Sequence, residues 1–151
     1  MDPEIVRAIL EYTLEGKRAD PNEFTIATHP YEKNGANLVA IELRSRHGWY
    51  RFDTIPSQGV SANGSLTINL PWRGLGIGGA LAQTREEACR AHGIEQIIIG
   101  ENHNNTFWKR RGYTTVRRPE PYRALAKKNI IRYRENTQGF SPPLILEPHS
   151  L

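Results

Sequence analysis

The sequence predicts an α/β (α+β) domain in which helices flank a mixed, mostly antiparallel twisted sheet. Three observations predict it. Residues 23–70 alternate apolar and polar side chains between turn signals, the mark of an antiparallel meander of about four strands. Residues 77–91 place apolar side chains at helical spacing, and 94–99 form an almost wholly apolar run, as in a strand covered on both faces. Between meander and helix lies Arg73-Gly74-Leu75-Gly76-Ile77-Gly78-Gly79, a turn dense in glycine. A strand, helix and strand of this length form a right-handed crossover. The run at 94–99 is therefore expected parallel to the strand at 66–70, with the glycine turn at the carboxyl edge of the sheet.

At the amino end, Asp2 and Pro3 suit an N-cap and a first helical position, and Ile5, Val6, Ile9, Leu10 and Leu14 recur at helical spacing until Gly16 closes the helix. Residues 17–22 are polar, contain Pro21 and predict a loop. A strand over 23–28 is expected to end at His29-Pro30, since proline offers no N–H to a ladder. Asn34-Gly35 signals a tight turn, 38–43 the clearest strand of this half, His47-Gly48 a second turn, and 49–55 another strand. Residues 56–64, rich in Ser, Gly and Asn, read as an exposed loop. Leu66, Ile68 and Leu70 then alternate with Ser65, Thr67 and Asn69 as in a half-buried strand that Pro71 ends.

In the following helix Ile77, Leu81, Thr84 and Ala88 share one face, and Arg85, Glu86, Glu87 and Arg90 fall on another; His92-Gly93 stops it. Asn104 suits the N-cap of a short helix through Arg110, with Gly112 as its stop and a strand at 113–116. Residues 117–121 read as a linker, 122–128 as a helical turn, 130–134 as the last strand, and about 138–151 as an irregular tail.

A chain of 151 residues fits one domain spanning 1–151. It contains no apolar run long enough to cross a bilayer, and its first residues lack a signal-peptide pattern, so a soluble, cytoplasmic protein with no membrane partner is expected. Without secretion, the sequons at Asn63 and Asn104 carry no meaning. The one cysteine, Cys89, excludes an internal disulfide and reads as a buried thiol. His29, His47, His92, His103 and His149 show no metal-ligand spacing, so no metal is expected. The net charge of +4 suggests polyanion affinity, but Lys and Arg are scattered rather than striped outside the last third, which disfavours nucleic acid as a partner.

The glycine turn carries the chemistry. Glycines there allow positive φ and close approach of a ligand, and the free N–H groups and dipole of the helix's first turn attract an anion, most naturally a phosphate or pyrophosphate. No Lys-Ser/Thr follows the glycines, against a Walker loop; a dinucleotide fingerprint lacks its third glycine and its ribose-binding acid. The better match is Arg-x-x-Gly-x-Gly, Arg73 to Gly78, after Pro71-Trp72. It resembles the coenzyme A pyrophosphate loop of the GNAT N-acetyltransferase superfamily, and Asn104 to Tyr113 resembles that family's second segment, an Asn before a short helix with an aromatic pair ending in Gly-Tyr.

The resemblance implies a GNAT-like fold whose parallel pair splays to take the pantetheine arm of acetyl-CoA, the co-substrate. It implies that backbone N–H groups of Leu75, Gly76, Ile77, Gly78 and Gly79, after Gly74, hold the pyrophosphate, that Arg73 adds charge, and that backbone near Ile68 and Leu70 orients the thioester. Where the family carries an acidic Tyr, this chain has Trp108, whose indole N–H is too weak an acid, so Trp108 is expected to line the wedge. The family's Asn falls on Glu101 by the usual spacing, leaving Asn102 and Asn104 as alternatives. No carboxylate lies on the central strand. Glu101 is the nearest candidate base, with Glu42, Asp53 and His103 behind it. The basic cluster Lys109, Arg110, Arg111, Arg117 and Arg118 reads either as a solvated face or as a site for the coenzyme's 3′-phosphate or an acidic partner.

The expected activity is transfer of acetyl from acetyl-CoA to a primary amine, on a protein or peptide, because residues 1–22 and 56–64 look too short and polar to enclose a small acceptor. The alternatives are a coenzyme-binding or protein-interaction module of the same fold with weakened catalysis, and a basic nucleic-acid-binding domain. The sequence leaves the oligomeric state open, a dimer included.

Overall fold

The computed structural model describes residues 1–100, 105–116 and 130–133. These form seven strands, β1 (Thr25–Lys33), β2 (Ala36–Ser45), β3 (Gly48–Ile55), β4 (Val60–Ile68), β5 (Gln96–Gly100), β6 (Tyr113–Val116) and β7 (Ile130–Tyr133), and three α-helices, α1 (Pro3–Thr13), α2 (Ile77–Ala91) and α3 (Asn105–Arg110). The strands make one sheet in the order β1-β2-β3-β4-β5-β7-β6. β1 to β4 are the expected antiparallel meander, β5 runs parallel to β4, and β7 pairs antiparallel with both β5 and β6. The expectations for 117–128, for residue 134 and for the tail lie outside the described residues.

α1 begins as predicted: Oδ1 of Asp2 accepts the Glu4 N–H at 2.9 Å, and Pro3 occupies the first turn. It ends sooner. Leu14 caps it, and Gly16 takes φ 76° in the loop beyond. Val6 and Leu10 face the core, and Thr13 shares a 2.8 Å hydroxyl hydrogen bond with Thr84 of α2. The His92 ring ties the start of α1 to the end of α2. Its Nε2 accepts the Asp2 N–H at 3.1 Å, which leaves Nδ1 to donate to the Ala88 carbonyl at 2.7 Å.

Several expectations are corrected. β1 does not end at His29-Pro30 but runs on to Lys33, with Pro30 opposite Val39, because an edge strand loses no ladder bond to a missing N–H. The second turn is Arg46-His47, with Gly48 already paired to Ser45. Residues 56–64 are not a loop: only a single 3-10 turn at Pro56–Gln58 and left-handed Gly59 connect the strands, and β4 starts at Val60. Its Ser and Gly content conceals a bulge, since one extra residue fits between the pairs Asp53↔Ala62 and Arg51↔Ser65. At its other end β4 stops at Ile68, and Leu70, in a 3-10 turn, is 74% exposed rather than half-buried.

The parallel pairing covers only Val60↔Gln96 and Ser61↔Ile97, at the amino end of β4. The core lies between this sheet and the two longer helices: Leu10, Ile41, Leu43, Tyr50, Phe52, Leu81 and Ile97 are all fully buried. Burial of each such side chain contributes about 1.5–3 kcal/mol. Ile77, Leu81, Thr84 and Ala88 of α2 face it as expected, but Arg85 and Glu86, assigned to the polar face, are 0% and 2% exposed. Among the described residues no helix is long and apolar enough to cross a membrane.

Candidate functional site

A cleft of about 670 Å³ opens where β4 runs past its pairing with β5. One wall is the carboxyl half of β4, Gly64 to Ile68; another is the glycine turn with the first turn of α2; Phe107 and Trp108 of α3 supply the third. Gly74 and Gly76 have φ 78° and 81°, left-handed values that disfavour side chains, which is why the turn needs glycine. Gly76 is the N-cap of α2, and the first intrahelical bond runs from the Ala80 N–H to its carbonyl at 3.1 Å. The N–H groups of Ile77, Gly78 and Gly79 precede that bond and have no acceptor within the helix. A Cβ on Gly78 would stand 3.5 Å from Ile68 Cγ1 and 3.8 Å from Phe107 Cε1, so glycine here keeps the cleft open.

Of the expected site residues, Ile68, Arg73, Gly74, Gly76, Ile77, Gly78, Gly79 and Trp108 line the cleft. Ile77 is 1% exposed, so it presents backbone there while its side chain enters the core. Leu70 and Leu75 are not among the lining residues: Leu70 points to solvent and Leu75 packs against the core. Arg73 folds back on the end of β4, its Nε donating to the Ile68 carbonyl at 2.9 Å, which engages one of the backbone groups expected to orient a thioester. Glu101, Asn102, His103 and Asn104 lie outside the described residues. Of the other base candidates, neither Glu42 nor Asp53 lines the cleft; Asp53 lies 4.0 Å from the Arg51 guanidinium, and the Tyr31 hydroxyl is raised first by burial and then by the Asp53 carboxylate.

Trp108 is 4% exposed and packs edge-to-face on Phe107 at 4.9 Å and on Tyr113 at 5.2 Å, the arrangement of a wall. Behind it, α2 carries a buried polar network that sequence reasoning missed. Arg85 donates from Nη1 to the Tyr50 hydroxyl at 2.6 Å and from Nε and Nη2 to Ser61 Oγ at 3.0 and 2.9 Å. Glu86 accepts from Arg111 Nη2 at 2.6 Å and from the Tyr113 hydroxyl at 3.0 Å. Burial raises the Glu86 carboxyl above its ordinary value, and Arg111 and Tyr113 oppose that rise; burial and then Glu86 push the Tyr113 phenol well above 10.0. Of the basic cluster, Lys109 and Arg110 are exposed, Arg111 is this ion-pair partner, and Arg117 and Arg118 lie outside the described residues.

Lys17 was also missed. From the loop after α1 it lies across the glycine turn, with Cε and Nζ each 3.3 Å from where a Cβ on Gly76 would stand. Trp72 and Phe107, which complete the cleft, were visible only as the aromatic after Pro71 and as half of the aromatic pair in the 104–113 segment. Cys89 is fully buried, and burial pushes its thiol up to about 11. Among the described residues no cluster of His, Cys, Asp or Glu is arranged to hold a metal ion.

No protein-family model matches the sequence, and no curated protein matches it. Solved structures resemble its fold. A Klebsiella pneumoniae protein assigned as an acyl-CoA N-acyltransferase superposes with a TM-score of 0.53 at 16% identity over 94% of this chain and 88% of its own. Tetrahymena GCN5 gives 0.50 at 13% identity over 86% and 84%. N-acetylglutamate synthase from Neisseria gonorrhoeae, solved with coenzyme A and L-arginine, gives 0.51 at 13% identity over 84% of this chain and 30% of its own. The mixed sheet with its parallel pair and flanking helices is thus a GNAT-like fold.

Proposed function

We propose that the protein is an N-acetyltransferase that moves the acetyl group of acetyl-CoA to a primary amine by direct transfer. One observation carries the reading: a left-handed glycine turn and the unbonded N–H groups of a helix's first turn face a cleft that opens where a parallel strand pair stops pairing. The donor set fits a pyrophosphate, because backbone N–H groups from Leu75 to Gly79 and the positive helix end match its charge. Arg73 adds a cation at the same edge. Ser65 to Ile68 form the wall along which the pantetheine arm lies, and Trp108 closes it.

In the reaction the amine nitrogen forms the new C–N bond, the C–S bond breaks, and the coenzyme leaves as a thiolate that takes up a proton. Glu101 is the proposed base, and Asn102 or Asn104 the side-chain amide beside the coenzyme. The acceptor is a protein or peptide amine, and a basic surface favours acidic partners by steering.

A second reading is a coenzyme-binding module without transfer, favoured by Trp108 standing where an ionisable phenol is expected and by the absence of a carboxylate from the cleft lining among the described residues. The test is to incubate the protein with labelled acetyl-CoA and cell extract, and separately with polyamines and amino sugars, scoring transfer by mass. Label on a few proteins supports the proposal, and label on small amines alone overturns the protein acceptor. Coenzyme binding without any labelled acceptor selects the module, and tight, salt-dependent DNA binding with no response to CoA would sink both.

A further inference from the structure

We propose that Lys17 is a ligand of the coenzyme's pyrophosphate, delivered by α1 to the amino end of α2. This rests on the acetyl-CoA reading above and names a residue that the glycine-turn motif does not contain. The Lys17 side chain lies across Gly76, the N-cap of α2, with Nζ and Cε 3.3 Å from the position of a Cβ there. Such a placement has the wrong sign on its own. The amino end of a helix is its positive end, and cations favour the other end. A lysine on the surface has many rotamers that avoid the conflict, and among the described residues no carboxylate pairs with Lys17 to relieve it. An anion seated between the ammonium and the N–H groups of Ile77 to Gly79 turns both interactions attractive.

The other cations nearby have engagements. Arg111, whose Nη1 is 3.8 Å from a Cβ position on Gly79, is bonded to Glu86 at 2.6 Å, and Arg73 donates from Nε to the Ile68 carbonyl. Lys17, by contrast, comes from a braced backbone with a free head group. α1 is fixed to α2 by the hydroxyl bond between Thr13 and Thr84, the Lys17 N–H bonds the Leu14 carbonyl at 2.9 Å, and Arg7 clamps the far end of the loop through the Pro21 and Phe24 carbonyls at 2.6 and 2.7 Å. The position beside Gly76 selects the pyrophosphate over the 3′-phosphate, because the N–H donors of the helix converge there.

The experiment measures the affinity of wild type, Lys17→Ala, Lys17→Glu and Lys17→Arg for CoA and for dephospho-CoA by calorimetry at two salt concentrations, with thermal melts as a folding control. Losing one charged contact should weaken both ligands by the same factor, about tenfold for Ala, more for Glu and no more than about threefold for Arg, with a shallower salt dependence for Ala. Melting temperatures without ligand should not fall, since Lys17 is exposed and its removal relieves the unfavourable charge at the helix end. Unchanged affinity in Lys17→Ala overturns the assignment and leaves the acetyl-CoA reading standing. A loss for CoA but not for dephospho-CoA also overturns it, placing Lys17 on the 3′-phosphate. A wild type that binds neither ligand overturns both readings together.

Discussion

Gly76→Asp with Gly76→Asn as its partner separates charge from backbone strain at the glycine turn. Both side chains have the same size, and Asn and Asp tolerate left-handed φ better than other residues, so at φ 81° each should cost the fold no more than about 1–2 kcal/mol. That corresponds to a fall of about 2–8 °C in Tm for a chain of this size. Either side chain displaces Lys17, which approaches a Cβ there to 3.3 Å, but the end of a flexible side chain moves cheaply. Only Asp adds an anion. At ~5 Å in the dielectric of water, each repulsive pair costs ~0.8 kcal/mol, so a doubly charged pyrophosphate is weakened ~15-fold at low salt. Calorimetric titration with CoA at low salt should therefore show a loss of about tenfold beyond that of Asn. Equal losses in the two variants would show that backbone conformation, not anion binding, explains the effect. Wild-type affinity in Gly76→Asp would remove the pyrophosphate from this turn.

Trp108→Phe should change turnover by less than about tenfold, where removal of a general acid costs ~10²-fold or more; a larger loss at intact coenzyme affinity refutes the wall assignment. Glu86→Gln should destabilise by ~2–4 kcal/mol by removing the buried charge that pairs with Arg111, and a cycle with Arg111→Gln should return a coupling above about 1 kcal/mol, whereas additive effects would mean that the 2.6 Å ion pair contributes little. The Cys89 thiol, pushed up to about 11 by burial, should resist thiol reagents at pH 8 until the protein unfolds. Its linkage has a definite sign: with the folded value raised above the ordinary 9.0, the folded state holds the extra proton, so this contribution to stability is complete below 9.0 and disappears as pH rises through about 11. A stability curve that climbs over that window would contradict it.

What the sequence discloses here is what is decided locally. An N-cap at Asp2 and positive-φ glycines at 35, 74, 76 and 112 are requirements of a few neighbouring residues, so each is legible. Strand periodicity is local too, and it located β2 and β3. Composition misled at 56–64, because serine and glycine signal a loop only when nothing across the sheet needs them. Here the Ser61 hydroxyl donates to the Asp53 carbonyl at 2.8 Å and accepts from Arg85, so a polar residue is buried and paired. The helical wheel failed at Arg85 and Glu86 for the same reason: it scores charge as exposure, and the partners Tyr50, Ser61, Arg111 and Tyr113 come from other elements. Lys17 could not be found, since its neighbour Gly76 is brought to it only by the packing of α1 on α2.

These long-range contacts make α2 the part that fixes the cleft at two places. Its amino end presents the glycine turn, and from its middle Arg85 reaches beneath the β4 bulge, where Nη1 comes within 2.9 Å of a Cβ position on Gly64. Any side chain at Gly64 would collide with a guanidinium already bonded to Tyr50 and Ser61, so that residue of the cleft wall is glycine because of a helix that follows it in sequence. The fully buried charge of Arg85 carries a desolvation cost that packing alone does not require of a helix. Its three bonds to Ser61 and Tyr50 offset that cost and hold the bulged strand against the helix that bears the glycine turn.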